Sequence, residues 1–509
     1  MQKIKRILFS RVMVVSVAIL LQILTFIIII YRFSNYFVID TIFTVLSVLV
    51  VLYILNGKTN PVYKIAWIIP ILTFPVFGGL FYLMLGRNGF NKKMIVRMKE
   101  ISYKMDDSLN QNSQTENSLF LENKIAANQA KYIERYSICP VYNNSTTEFL
   151  SPGDKFYKHL LKELQKAEKY IFLEFFIINE GIMWNSILEI LKEKAKKGVD
   201  VRVIYDDVGC LFKLPFGYDK SLESMGIKCC VFNPLKPVFS IRFNNRDHRK
   251  IAIIDGKTAY TGGVNLADEY INEIERFGHW RDSAIAVKGE AVWSFAVMFL
   301  SMWNFLRNTD NDYSIFKPTD YGVNAKENGY VQPFNDSPLD GEPVSETVYL
   351  NLINQARRYI FIETPYLIAD NKMMVALSIA AKRGVDVRIM TPHIPDKWYA
   401  FAVTQSNYAE LLESGVSIYE YTPGFNHGKT FVVDDEYAVV GTINLDYRSL
   451  YLHFECGVWM YKTKSVLEVK EDTLRVFDIC EKITFDSIRK IPWYKKIIGL
   501  IFKIFAPIM

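Results

Sequence analysis

The sequence has few of the features that hold small or metal-dependent folds together. Its six cysteines contain no CxxC pair and no regular spacing, which argues against a zinc site or a disulfide framework. No other cluster of metal ligands is visible, so we expect neither a metal nor a cofactor. The net charge of +6 is small for 509 residues, which argues against attraction of the whole surface to nucleic acid.

Charged residues are also scarce within three apolar runs in the first 86 residues. Val12–Ile30 contains 19 uncharged residues, about the length that crosses a bilayer as a helix. Thr41–Leu55 is a second run, and Ile65–Gly86 is a third that is interrupted by prolines and glycines. No small-residue cleavage pattern follows the first run, which argues against a cleaved signal peptide. We therefore predict a membrane anchor over residues 1–90, with two or three hydrophobic segments.

The charges around this anchor bear on its topology. Both the amino terminus and the segment after the third run are basic, and basic flanks favour the cytoplasmic side. Three crossings would separate the two flanks, whereas two crossings would place them together. We therefore expect a multi-pass protein of the cell membrane, with one run shallow or re-entrant and the remainder of the chain on the cytoplasmic face.

The remainder of the chain contains an internal duplication. KAEKYIFLEFF, from residue 166, has a counterpart in QARRYIFIETP, from residue 355. KKGVDVRVI, from residue 196, has a counterpart in KRGVDVRIM, from residue 382. Each unit has the order helix, apolar strand, helix, turn, apolar strand, which predicts an α/β fold with a mainly parallel sheet covered by helices.

These patterns also place the domain boundaries. Residues 91–135 lack sustained apolar periodicity and predict a polar linker. The two repeats are expected at 136–310 and 320–488. Residues 489–509 combine basic with aromatic and aliphatic side chains and contain no acidic residue, which predicts a basic amphipathic helix on a membrane surface.

One motif occurs once in each repeat with identical spacing. Lysine, aspartate, glycine and asparagine follow the histidine after two, seven, fourteen and seventeen residues in both copies. A lone HxK has little meaning, but a four-point pattern repeated in duplicated context does not arise by chance. The candidate catalytic residues are His248, Lys250, Asp255, His427, Lys429 and Asp434.

The residue types in this motif suit phosphodiester chemistry. Residues two apart in a strand face the same way, so the histidine and lysine project together. The glycine that follows permits close backbone approach before an asparagine amide, which is a plausible anion cradle. If the repeats face each other, Lys250 and Lys429 could hold a phosphate from two sides. The predicted phosphate-binding residues are Asn265, Asn444, Gly263 and Thr442.

Two histidines at such an interface permit a division of labour. One could attack phosphorus while the other protonates the leaving alkoxide and then deprotonates the incoming hydroxyl. A carboxylate at one ring nitrogen would orient each imidazole, and Asp282 and Glu455 are the candidates for this role. The motif aspartates are expected to support the turn that follows them. His279 and His453 are predicted to be local hydrogen-bonding residues at the rim of the site.

These motifs resemble those of the phospholipase D superfamily, and from about residue 41 onward the chain is similar to the bacterial cardiolipin synthases. The resemblance implies two phospholipase D-like units that form a pseudo-twofold catalytic body, preceded by transmembrane helices. It also implies transfer of a phosphatidyl group from one phosphatidylglycerol to another through a phosphohistidine, which gives cardiolipin and glycerol. The expected partners are phosphatidylglycerol and other anionic lipids, with no nucleic acid.

The sequence leaves several alternatives open. A hydrolytic phospholipase D, or another phosphatidyltransferase, would carry the same motifs. A nuclease of the superfamily would be expected to have a basic groove and no anchor, and intact motifs in both halves argue against a non-enzymatic scaffold. The oligomeric state and the identity of the nucleophilic histidine are not determined by the sequence.

Overall fold

The computed structural model describes residues 37–57, 60–74, 92–235, 244–322 and 329–508, with a few isolated positions between them. Within these residues, five helices precede the two repeats. They are α1 (Phe37–Asn56), α2 (Pro61–Thr73), α3 (Lys92–Ser108), α4 (Ser113–Glu122) and α5 (Lys124–Ser137).

The first two helices cover the second predicted apolar run and the beginning of the third. Within the described residues, no helix is both long enough and apolar enough to cross a membrane. The predicted span Val12–Ile30 lies outside the described residues, apart from Leu20, Leu24 and Ile28.

The predicted polar linker is helical from Lys92 onward and packs on the body. Asn112 and Asn123 cap α4 and α5 by accepting backbone N–H groups through their side chains. Helix α5 buries Ala126, Ala130 and Ile133, spaced three to four residues apart, in the core of the second repeat. Small alanine side chains form this apolar face, which explains why the periodicity was too weak to predict a packed helix.

The first repeat is built on a seven-stranded sheet with the order β1-β8-β6-β5-β2-β3-β4. Helices cover both of its faces. The strands are β1 (Ser145–Leu150), β2 (Tyr170–Phe175), β3 (Asp200–Asp206), β4 (Lys228–Phe232), β5 (Lys250–Ile254), β6 (Thr258–Gly262), β7 (His279–Arg281, outside this sheet) and β8 (Ala284–Gly289). The helices are α6 (Gly153–Lys166), α7 (Ile182–Lys196), α8 (Tyr218–Ser224) and α9 (Val292–Arg307).

The second repeat is built on an eight-stranded sheet with the order β19-β13-β12-β10-β15-β16-β18-β9. Three short strands, β11, β14 and β17, lie outside this sheet. The strands are β9 (Tyr330–Asp336), β10 (Tyr359–Glu363), β11 (Leu367–Ile368), β12 (Asp386–Pro392), β13 (Ser417–Tyr421), β14 (Gly424–Asn426), β15 (Thr430–Val433), β16 (Tyr437–Gly441), β17 (Leu445–Asp446), β18 (Glu455–Tyr461) and β19 (Cys480–Lys482). The helices are α10 (Val344–Gln355), α11 (Asn371–Lys382), α12 (Trp398–Ser406), α13 (Tyr408–Glu413), α14 (Tyr447–Tyr451), α15 (Lys464–Phe477), α16 (Phe485–Lys490) and α17 (Trp493–Phe505).

The two sheets have the same topology, which confirms the duplication. Strands β9, β18, β16, β15, β10, β12 and β13 follow the order of the seven strands in the first sheet, and β19 is added at the edge. Buried residues of both repeats share one core cluster, which includes helix α9 of the first repeat and strand β18 of the second. The halves therefore pack as one body.

The expectation of a mainly parallel sheet was wrong. Strands β2, β3 and β4 are parallel, but the pairings β2–β5, β5–β6, β6–β8 and β1–β8 are antiparallel. The cause is a hairpin turn directly after the motif strand. Asp255 and Gly256 have φ of 53° and 67°, and Asp434 and Asp435 have φ of 56° and 63°. Two consecutive positive φ values are those of a type I′ turn, and three residues, 255–257 and 434–436, connect the paired strands.

Candidate active site

Each motif histidine lies just before a central strand and is held by the other repeat. The backbone N–H of His248 donates to the carbonyl of Phe454 at 3.0 Å, and that of His427 donates to the carbonyl of Arg281 at 2.7 Å. Strand β7 of the first repeat pairs in parallel with β14 of the second, which fixes the latter contact. The two repeats therefore exchange backbone hydrogen bonds at their motif histidines.

Each repeat also provides a carboxylate that contacts the motif histidine of the other repeat. Nδ1 of His248 lies 2.9 Å from Oε1 of Glu455, and Nδ1 of His427 lies 2.6 Å from Oδ2 of Asp282. Both carboxylates are fully buried. Each repeat thus supplies the carboxylate that orients the histidine of the other. Since Nδ1 is engaged, Nε2 of each ring is the nitrogen left for chemistry.

The supports of the two carboxylates differ. The Thr442 hydroxyl donates to Glu455, whereas the backbone of Gly263 lies directly against Asp282. A Cβ on Gly263 would lie 2.8 Å from Cγ of Asp282. Gly263 and Thr442, predicted as phosphate-binding residues, therefore contact the orienting carboxylates.

Both histidines line one cavity of about 530 Å³, together with Asn265 and Asn444. Asn265 accepts from the N–H of Ile177 and donates to the hydroxyl of Tyr270. Asn444 donates to Asp446, and its buried Oδ1 has no partner. The second asparagine thus retains an acceptor oxygen and the second N–H of its amide group.

The motif lysines do not line this cavity, and each is about 1% exposed. Nζ of Lys250 donates to the carbonyl of His248 at 2.7 Å, and Nζ of Lys429 donates to that of His427 at 2.5 Å. Burial lowers the pKa of Lys250 to about 8 and that of Lys429 to about 7. An anion that enters the cavity would favour the charged form of both lysines.

The imidazoles and one carboxylate are perturbed by the same environment. Burial, with the nearby Lys429, lowers the pKa of His427 to about 4. Burial, with the nearby Lys250, holds the pKa of His248 well below its usual value. Burial also raises the pKa of Glu455 to about 8. Burial therefore favours neutral imidazoles, the form in which a histidine can act as a nucleophile or base.

The motif aspartates lie at the opposite end of the strands from the cavity. Asp255 accepts the backbone N–H groups of residues 168–170 at 2.7–2.8 Å. Asp434 accepts those of residues 357–359 at 2.6–2.9 Å. Each carboxylate ties the hairpin turn to the start of the neighbouring strand. Their contacts are those of turn-supporting residues.

Several residues of the cavity wall carried no sequence signal. Tyr270 and Trp280 line the cavity beside His427, with ring centroids 5.6 and 5.4 Å from its own, and Phe425 lies 5.7 Å from the same ring without lining the cavity. His453, expected at the rim, lines the cavity with its ring centroid 5.8 Å from that of His248. It stands two residues before Glu455, and alternation along an extended segment could have placed it on the same face.

Comparisons with known proteins agree with this architecture. Residues 160–303 and 349–476 match the family described as cardiolipin synthase, PLD-like domain, and residues 45–87 match the phospholipase D-nuclease N-terminal family. The chain is 33% identical to a cardiolipin synthase of Halalkalibacterium halodurans, over 92% of this chain and 93% of the relative. It is 45% identical to an uncharacterized protein of Streptococcus mutans, over 90% of this chain and 99% of the relative.

A solved structure shares the fold. Phosphatidylserine synthase of Haemophilus influenzae superposes with a TM-score of 0.55 at 17% identity, over 76% of this chain and 98% of that one. At this identity the likeness concerns the fold alone.

Proposed function

Because the chain belongs to the cardiolipin synthase family of phospholipase D-like proteins, we infer that it is a phosphatidyltransferase that makes cardiolipin. Two phosphatidylglycerol molecules react to give one cardiolipin and one glycerol. The hydrolytic and other phosphatidyl-transfer reactions of the superfamily differ only in the acceptor. We place the enzyme at the cell membrane, where both substrates reside, with its body on the cytoplasmic face.

The observation that carries the mechanism is the pair of exchanged histidine–carboxylate contacts on one cavity. Nε2 of one motif histidine attacks phosphorus, and a phosphorus–nitrogen bond forms as the bond to the glycerol oxygen breaks. The other histidine donates a proton to that oxygen, and glycerol leaves. The first histidine then carries the phosphatidyl group. The neutral imidazoles that burial favours suit the attack, and the anionic substrate favours protonation of the second ring.

The second half of the reaction reverses these roles. The histidine that gave up its proton removes one from the terminal hydroxyl of a second phosphatidylglycerol. That oxygen attacks phosphorus, the phosphorus–nitrogen bond breaks, and cardiolipin is released. Lys250, Lys429 and the second N–H of the Asn444 amide stabilise the non-bridging oxygens in both steps, and Asp282 and Glu455 keep the rings oriented.

The test uses the full-length protein with phosphatidylglycerol vesicles, in which cardiolipin and free glycerol are measured. We expect them in equal amounts, whereas phosphatidic acid as the main product would make the protein a hydrolase. His248→Ala and His427→Ala should each lower product formation by several orders of magnitude. His159→Ala is the matched control, since its imidazole is hydrogen-bonded to Tyr260 outside the cavity. Near-normal activity in either motif variant would refute the two-histidine mechanism.

A further inference from the structure

The cavity has a recognisable mouth. His248 and His427 are only 8% and 7% exposed, so they lie at its closed end. Three other lining residues reach solvent, with Val208 37% exposed and the side chains of Arg276 and Lys397 about half exposed. These three residues mark where a substrate enters.

Large apolar side chains are exposed beside this mouth on both sides. In the first repeat, Phe212 is 82% exposed, in the loop that also carries Val208. In the second repeat, Trp398 is 63% exposed, directly after Lys397. Single exposed apolar residues are common, but a group of aromatic ones around an opening marks an interaction surface.

The terminal helix α17 continues this surface. It crosses α12 at Gly499, where a Cβ would lie 2.6 Å from the carbonyl oxygen of Ala402. The ring of Phe502 meets Trp398 edge-on at 5.8 Å, and Ala506 lines the cavity itself. The helix turns its apolar side chains outward, and those exposed are Trp493, Tyr494, Ile497, Leu500, Ile501 and Ile504.

Helix α2 lies beside the same surface. Asn60, its capping residue, donates to the carboxylate of Asp370 in the second repeat at 2.9 Å. Val62 packs in a cluster with Tyr447 and Ala506, both of which line the cavity. Exposed apolar residues of α2 add to the surface, namely Ile65, Ile69 and Leu72, with Phe74 just after it.

The charged side chains beside this surface are basic near α17. Lys495 and Lys496 are exposed, and the sequence contains no acidic residue after Asp486. A helix with outward apolar residues and flanking lysines suits the interface of an anionic bilayer. Glu273 and Glu275 are exposed near the mouth in the first repeat, so the preference for anionic lipid comes from the second.

We propose that Phe212, Trp398 and the outer face of α17, together called the apolar rim, dock on the surface of an anionic phospholipid bilayer. The cavity then opens directly into the headgroup layer. A phosphatidylglycerol headgroup reaches the histidines while its acyl chains stay in the bilayer. This inference rests on the proposed function, to which it adds the route of substrate entry.

The experiment compares two substrates with the full-length protein reconstituted in vesicles. One is phosphatidylglycerol within the bilayer, and the other is short-chain phosphatidylglycerol dissolved as monomers. Phe212→Ser and Trp398→Ser should each lower the rate on the bilayer substrate about tenfold or more, since each replaces a large aromatic side chain that docking buries. The rate on the monomeric substrate should stay within about twofold of the wild type, because these residues do not line the cavity.

The matched control is Ile315→Ser, which removes a side chain that is 72% exposed. Its neighbour Phe316 packs on Tyr170 at the far end of β2, away from the mouth. This variant should retain both rates. Equal losses on both substrates in the rim variants, or full bilayer activity in them, would overturn the proposal.

A second measurement does not depend on activity. Brominated phosphatidylglycerol in the bilayer should quench the emission of Trp398, seen as the difference between the wild type and Trp398→Phe. Absence of quenching overturns bilayer docking. Quenching in a protein that produces no cardiolipin from either substrate would retain the docking surface and refute the proposed reaction.

Discussion

Gly263→Ala is the substitution that tests the arrangement of the site most sharply. A methyl group there would lie 2.8 Å from Cγ of Asp282 and 2.9 Å from the carbonyl oxygen of His427, closer than non-bonded atoms pack. Asp282 is fully buried and cannot swing into solvent. Its carboxylate must therefore leave the 2.6 Å contact with the His427 ring.

The size of the effect follows from what that carboxylate does. Without it the His427 ring loses its orientation and the stabilisation of its protonated form. Losses of about 10²- to 10⁴-fold in kcat are expected for a carboxylate–histidine pair of this kind. The cost in folding stability should be smaller, about 1–3 kcal/mol for one overpacked methyl group.

The assay measures kcat and KM on phosphatidylglycerol alongside thermal unfolding. Gly341→Ala is the control, because its φ of 82° strains the new residue but nothing lies within 4 Å of the added Cβ. Gly263→Ala should add little to Asp282→Asn, since both substitutions act on one contact. Independent, multiplicative losses in the double variant, or near-normal activity in Gly263→Ala, would refute this reasoning.

Three further predictions concern the supporting residues. Burial lowers the pKa of Lys429 from 10.5 to about 7, so between these values the unfolded chain binds more protons and stability should rise with pH. Lys429→Met should abolish activity yet raise stability at pH 7 by on the order of 1–4 kcal/mol in melting experiments. Thr442→Val, which removes the hydroxyl that donates to Glu455, should lower kcat about three- to tenfold with little change in KM. Asp255→Asn and Asp434→Asn should each destabilise the fold by about 1–3 kcal/mol in denaturant titrations while the folded protein keeps most of its kcat.

The duplication and the motif residues could be predicted because they depend on short-range pattern. Identical offsets after His248 and His427 place equivalent groups at equivalent points of two like sheets. In the first repeat the sequence also contains a signal for the antiparallel pairing, since Asp-Gly, here Asp255-Gly256, is a common hairpin dipeptide. The second repeat has Asp434-Asp435 instead, which is a weaker signal for the same turn.

The exchange of carboxylates could not be predicted, because it depends on how the repeats pack. Asp282 and Glu455 lie seventeen and eleven residues after their asparagines, so nothing in the spacing assigns either one to a histidine of the other repeat. That pairing is set by the contact between β7 and β14 and by the bridge between Asp247 and Phe454. Such long-range contacts leave no periodic trace in the sequence.

The exchange also explains why the two repeats could diverge around their carboxylates. Glu455 is one methylene longer than Asp282, and Thr442 supplies a hydroxyl to hold it, whereas Gly263 leaves room for the shorter acid. Each support and its carboxylate belong to the same repeat, but the histidine they serve belongs to the other. A substitution at the support or the carboxylate of one repeat should therefore disturb the orientation of the histidine ring in the other. An isolated repeat would have an imidazole without its carboxylate.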